Sequence, residues 1–228
     1  IAIAQSKSNG EFALTKEQLF LALADEVPGK DGKLMKNPYK TWNEIDAKLP
    51  NRKITVYGPP TTSGTRDSFD EMVMEAASKK FDAYGDKKGK YKAIRQDGGF
   101  VPAGENDNLI VQKLTKNPAA IGIFGYSFLE ENKDKVVGLS IDNIQPTPET
   151  ISSSKYPVAR SMYFYIKNAH IKEVPALKEY ANLFMSEKMI GKDGILGELG
   201  LITLDDKTRD AARKKVMNSE KLTVENLK

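Results

Sequence analysis

The stretch Lys53-Ile54-Thr55-Val56-Tyr57-Gly58-Pro59-Pro60-Thr61-Thr62-Ser63-Gly64-Thr65-Arg66-Asp67-Ser68-Phe69 decides how this chain is read. Its first residues alternate in polarity as a half-buried strand does, and Gly58-Pro59-Pro60 ends that strand. Beyond Arg66, the positions Phe69, Met72, Val73, Ala76 and Ala77 fall on one face of a helix. The small polar residues therefore lie between a strand end and a helix start, where unbonded N–H groups of the first turn point at whatever occupies the loop. Ser63 and Thr65 add hydroxyls, and Gly64 lets a ligand approach the backbone. Arg66 adds a rigid cationic fork that matches an oxyanion. These parts make an anion cradle. The same residues also suit a plain N-cap, because Ser and Thr ahead of a helix commonly satisfy its own amides. Asp67, Asp70 and Glu71 complement a helix start on either reading, and would repel an anion that they faced. A cap needs no arginine, so Arg66 favours binding.

Outward from this unit the chain reads as alternating strands and helices. Residues 1–4 form a buried strand end, and Thr15 with Gln18 makes a capping box for a helix through about Ala24. Residues 27–51, with Pro28, Gly29, Gly32 and Pro38, read as a long loop around Trp42. The lysine- and glycine-rich residues 85–99 read as a mobile stretch, and within it Lys87-Lys88-Gly89-Lys90-Tyr91-Lys92 reads as a solvated loop. Asn106 or Asp107 caps a helix carrying Leu109, Ile110, Lys113 and Leu114, which Asn117-Pro118 ends. Residues 121–124 form a short buried strand. Pro146, Pro148 and Ser152-Ser153-Ser154 mark a linker. Residues 161–166 read as a strand. Pro175 opens a helix faced by Leu177, Tyr180, Ala181 and Phe184 and closed by Gly191, and residues 206–216 form a last charged helix. The alternation means α/β layering, and the linker suggests two lobes.

Composition narrows the function classes. A chain of 228 residues buries one large core or two modest ones. Its 35 basic and 31 acidic residues nearly balance, and no ladder of aromatic and basic residues of the kind a strand-binding groove shows is present, so no nucleic-acid partner is expected. The absence of cysteine excludes disulfides and thiolate metal sites, and His170, the single histidine, cannot build a multi-histidine one. No metal or cofactor is expected.

The cradle resembles the phosphate-binding proteins of bacterial ABC phosphate transporters, which carry a Ser-Gly-Thr turn at the head of a helix. One branch reads Pro-Pro-Thr-Ser-Gly-Thr-Arg-Asp, where this chain has Pro59-Pro60-Thr61-Thr62-Ser63-Gly64-Thr65-Arg66-Asp67. Further landmarks follow in family order: residues 14–20 with Thr41-Trp42-Asn43, residues 103–108, residues 120–125, and Tyr156-Pro157-Val158-Ala159-Arg160 leading into Tyr163 and Tyr165. In the better-known branch an Arg and an Asp precede the Ser-Gly-Thr; Pro59 and Thr61 stand there in this chain, so Arg66 takes the arginine's role. The resemblance implies a two-lobed, type II periplasmic-binding-protein-like α/β fold. It places a ligand-binding lobe at 9–150 and the rest of the other lobe at 1–8 and 151–228, with residues 6–9 and 152–155 crossing between them. It also implies that the first lobe is incomplete, because family members carry an amino-terminal segment before the strand that 1–4 resembles. That segment would be cleaved, disordered or on another chain.

The expected function is that of a periplasmic, or otherwise extracytoplasmic, solute-binding protein. It would capture inorganic phosphate without chemistry and pass it to the membrane permease of an ABC importer. Ser63, Gly64, Thr65 and Arg66 would hold the ligand. Asp67 is a candidate acceptor for the proton of hydrogen phosphate, which sulfate lacks. A receptor for another oxyanion (sulfate, molybdate or a phosphorylated ligand) is the alternative. The remaining one is a phosphate-ester hydrolase with Ser63 as nucleophile, but Thr61-Thr62-Ser63-Gly64-Thr65 is not the Gly-x-Ser-x-Gly elbow, and the lone His170 sits in a polar turn. No Gly-x-x-x-x-Gly-Lys-[Ser/Thr] nucleotide loop occurs either.

Overall fold

The structure is a computed structural model that describes residues 1–10, 12–85, 89–104 and 106–227. Lys87 and Lys88 of the expected solvated loop, and Glu105 of the 103–108 landmark, lie outside the described residues. The chain divides into two compact units, residues 1–160 and 161–228.

The first unit opens with β1 (Ala2–Ser6). Helix α1 (Lys16–Leu23) starts at Thr15, whose hydroxyl accepts the Gln18 N–H while the Gln18 side chain accepts the Thr15 N–H. β2 (Glu26–Pro28) and β3 (Leu34–Lys36) pair as a hairpin within the expected long loop. Its turn closes from the Gly29 N–H to the Lys33 carbonyl, with Gly32 at φ +74°, so the glycines that read as loop also serve a tight reversal. A 3-10 turn carries Trp42, which is fully buried. β4 (Val56–Gly58) follows, then α2 (Gly64–Phe69), a π-helical stretch over Asp70–Glu75 and α3 (Ala76–Ser78). The unit continues through β5 (Phe100–Pro102), α4 (Asp107–Lys116), β6 (Ile121–Phe124), α5 (Tyr126–Glu131) and β7 (Val136–Gly138) to α6 (Pro148–Ser152).

A five-stranded sheet of order β5-β4-β6-β1-β7 forms the centre. β5, β4 and β6 run parallel, while β1 is antiparallel to both β6 and β7. Alternation along the strands divides the apolar residues between two cores. Ile3, Val56, Ile121 and Ile123 face a cluster with Leu19, Phe20, Leu23, Trp42, Phe69 and Val73. Ala2, Ala4 and Phe124 face Ile110, Val111, Leu114 and Leu129 on the other side. Helices thus cover both sheet faces, and burial on both sides explains why β1 and β6 are continuously buried.

Several local expectations change. Residues 1–8, expected with the carboxyl-terminal remainder, lie in the first unit, because β1 completes its ladders between β6 and β7. The unit boundary falls after Arg160 rather than near 150. The expected linker contains α6, started by the Thr147 hydroxyl accepting the Thr150 N–H and by Pro148 at its head, while Ser152 and Ser153 end it with hydroxyls that donate to the Glu149 carbonyl. The helix after Arg66 buries Met74 and only half-buries Met72 and Ala76. The π stretch holds more residues per turn than the 3.6 assumed and so rotates the buried face.

The second unit contains α7 (Ala176–Phe184), α8 (Glu187–Ile190), α9 (Ile195–Glu198) and α10 (Asp206–Met217). The helix expected to run to Gly191 breaks at Ser186, which is extended; Gly191 still closes the α8 turn through the Glu187 carbonyl. Arg209 is buried and donates to Glu187, Asp206 and the Leu204 carbonyl, which pins α10 to α8. The strand expected over 161–166 is absent, and Met162, Tyr163 and Tyr165 are 80%, 78% and 71% exposed. Alternation makes a strand only where a neighbour supplies the ladder, and the described residues of this unit hold no other strand. No described helix is long and apolar enough to cross a membrane.

Candidate functional site

Residues 59–63 connect the end of β4 to α2, whose first turn carries Gly64 to Asp67, as the sequence implies. Ser63 is extended (φ −89°, ψ 132°), and its hydroxyl accepts the Thr65 N–H at 3.2 Å. Its carbonyl accepts from the Arg66 N–H at 2.9 Å and the Asp67 N–H at 3.2 Å. The N-cap expectation therefore describes Ser63 directly. Among the described residues the Gly64 N–H has no acceptor, and a Cβ built on Gly64 meets no atom within 4 Å. The head of the helix thus keeps an open approach. Behind it the Ser68 hydroxyl donates to the Gly64 carbonyl at 2.8 Å and fixes the turn.

Arg66 is buried at 5% exposure, which the sequence reading did not foresee. Its Nε donates to Asp70 Oδ1 at 2.9 Å, one helical turn on, and both side chains are nearly buried. The guanidinium carbon lies 5.2 Å from the centre of the Phe100 ring. Phe100 reaches this place because β5 runs parallel to β4, and because Gly58 carries no side chain: a Cβ there would stand 2.6 Å from Phe100 Cε2. Burial raises the Asp70 pKa, and the Arg66 hydrogen bond and charge oppose that rise. One edge of the guanidinium is thus committed. Its terminal nitrogens have no partner among the described residues.

Thr61 and Arg66 border a cleft of about 970 Å³ that is also lined by Lys36, Lys40, Lys92 and Arg95. Two carboxylates moderate this basic lining: Lys36 pairs with Asp25 at 2.6 Å, and Asp97 holds Arg95 and Lys40. Arg95 is buried and also donates to the Ala22 and Tyr39 carbonyls, so it ties α1 to the loops of the cleft. The guanidinium beside Asp97 holds that carboxyl well below its ordinary range, assisted by Lys40 and the Gly99 N–H.

Ser63, Gly64, Thr65 and Arg66 follow one another at the head of α2; of the four, Arg66 lines the cleft, and Ser63, Gly64 and Thr65 are not among its lining residues. Asp67 is exposed on the same first turn. Asp70 and Phe100 are the neighbours that the sequence reading left out. The i, i+4 spacing of Arg66 and Asp70 carries a readable ion-pair signal; Phe100 becomes a neighbour only through the sheet order. His170, exposed on a 3-10 turn, lies in the second unit. No group of acidic or histidine side chains among the described residues is arranged to hold a metal.

A family model described as a PBP superfamily domain matches residues 1–188. The phosphate-binding protein PstS of Staphylococcus epidermidis is 30% identical over 195 residues, covering 82% of this chain and 50% of that protein. Its namesake in Staphylococcus haemolyticus is 29% identical over 161 residues, covering 68% of this chain and 45% of that protein. The chain spans about half the length of these curated relatives. Among solved structures, a possible phosphate binding protein from Planctomyces limnophilus superposes with a TM-score of 0.67 at 24% identity, covering 96% of this chain and 69% of that one. The fold likeness agrees with the two-sided α/β sheet and with the type II expectation. By the match over residues 1–188, this chain belongs to the PBP superfamily.

Proposed function

We propose that this protein captures inorganic phosphate outside the cytoplasm, in the periplasm where there is one, and hands it to the membrane permease of an ABC importer. Binding involves no chemistry. The observations that support the reading are the exposed Gly64 at the helix head, whose N–H has no acceptor among the described residues, and the Arg66 side chain two residues on, whose terminal nitrogens have none either. The Gly64 N–H and the Ser63 and Thr65 hydroxyls donate to phosphate oxygens, the terminal nitrogens of Arg66 add charge-assisted bonds, and the helix start contributes its positive end. Asp67, exposed on the first turn, accepts the proton of hydrogen phosphate. The names of the curated relatives support phosphate as the ligand.

Calorimetric titration with phosphate and with sulfate tests this. Phosphate binds and sulfate does not displace it. Arg66→Ala weakens binding by about 2 kcal/mol or more, the loss of a buried charge-assisted bond. Asp67→Asn narrows the gap between the two anions. Unchanged affinity in Arg66→Ala would refute the assignment. The cleft beside Arg66, about 970 Å³ and partly basic, favours one second reading, a larger phosphorylated ligand. On that reading an organic phosphate monoester binds more tightly than phosphate itself.

A further inference from the structure

We propose that Asp70 and Phe100 form a clamp that positions Arg66 for the anion, and that this clamp determines affinity although neither residue touches the ligand. The inference rests on Arg66 being a ligand contact, as proposed above. Three constraints meet on one guanidinium. Asp70 takes the Nε edge at 2.9 Å, the Phe100 ring lies 5.2 Å from its carbon, and both neighbours are buried, at 7% and 5% exposure. The terminal nitrogens have no partner among the described residues, and Arg66 lines a cleft together with Thr61. An arginine on a free stem has rotamer entropy to lose when it binds an anion; a clamped one has lost it on folding. Asp70 also sets the net charge: paired with Arg66 it leaves a dipolar donor rather than a bare cation, and the donors rather than net charge hold the anion. Gly58 belongs to the device, since it leaves room for the ring. The π-helical stretch begins at Asp70, whose N–H is shared between the Arg66 and Asp67 carbonyls, so the widened turn starts at the residue that holds the arginine.

The test is phosphate titration of Asp70→Ala, Asp70→Asn, Phe100→Leu, Phe100→Tyr and Arg66→Ala at low and high salt, each checked by thermal unfolding. Asp70→Ala and Phe100→Leu weaken binding about tenfold, because the guanidinium is released. Phe100→Tyr keeps the ring and stays within about threefold of the parent. Asp70→Asn keeps an acceptor for Nε but uncovers the positive charge. It therefore also stays within about threefold at high salt, with a steeper salt dependence than the parent. A merely structural role would lower the unfolding temperature of all four clamp variants while leaving the dissociation constant of the folded protein unchanged, and that result overturns the clamp. Should Arg66→Ala weaken binding while Asp70→Ala and Phe100→Leu do not, the clamp fails and the site reading stands. Should Arg66→Ala bind like the parent, the site reading fails and takes the clamp with it.

Discussion

Gly58→Ala puts the packing beneath the site to a quantitative test. Gly58 ends β4 and lies under the Phe100 ring. A Cβ at this position would be 2.6 Å from Cε2 and 2.7 Å from Cζ of that ring, and 3.8 Å from Ile123 Cβ. Relaxing the closest contact to about 3.4 Å, an ordinary van der Waals separation, needs a shift of about 0.8 Å in a ring that is 5% exposed. Gly58 does not have a positive φ, so the penalty comes from overpacking and not from backbone strain. Such overpacking costs about 1–3 kcal/mol. Trp42, the single tryptophan, is fully buried in the same core, and its fluorescence during urea unfolding reports on the first unit alone. The midpoint of Gly58→Ala falls accordingly. Phe100→Leu removes the colliding atoms, so the double variant is less destabilised than the two single losses added together. A midpoint for Gly58→Ala equal to that of the parent, or strictly additive losses, would refute this account of how the ring and Arg66 are held.

Other consequences follow from particular contacts. The folded-state pKa of Asp97 lies below its unfolded value, so its pairing with Arg95 stabilises fully at neutral pH and fades as the pH falls below about 4. Asp97→Asn should therefore lose less stability between pH 7 and pH 3 than the parent does, and equal losses would contradict the pairing. Thr15→Ala removes the cap of α1 and costs about 1 kcal/mol in the same urea assay, while leaving the phosphate affinity unchanged.

Much of the first unit is legible in the chain because its signals are local. The capping box at Thr15, the alternation before Gly58 and the Ser63 cap each act within a few residues, and the structure places each of them where the sequence does. Signals that need a partner were misread. Residues 161–166 alternate like a strand but have no ladder among the described residues of their unit. β1 found its partners in β6 and β7, which no local pattern announces. The site divides the same way. Ser63, Gly64, Thr65 and Arg66 are adjacent in sequence and sit together at the head of α2. In the sequence Arg66 is a rigid cationic fork suited to an oxyanion, and only the fold shows Asp70 and Phe100 already holding it.

The central claim is that an anion sits on the unbonded Gly64 amide at the head of α2. Amide chemical shifts followed by nuclear magnetic resonance during a phosphate titration test this most directly. The account predicts that the largest, saturable shifts fall on Gly64, Thr65 and Arg66 and vanish in Arg66→Ala. Saturable binding whose shifts cluster elsewhere and leave these three amides unmoved would contradict it.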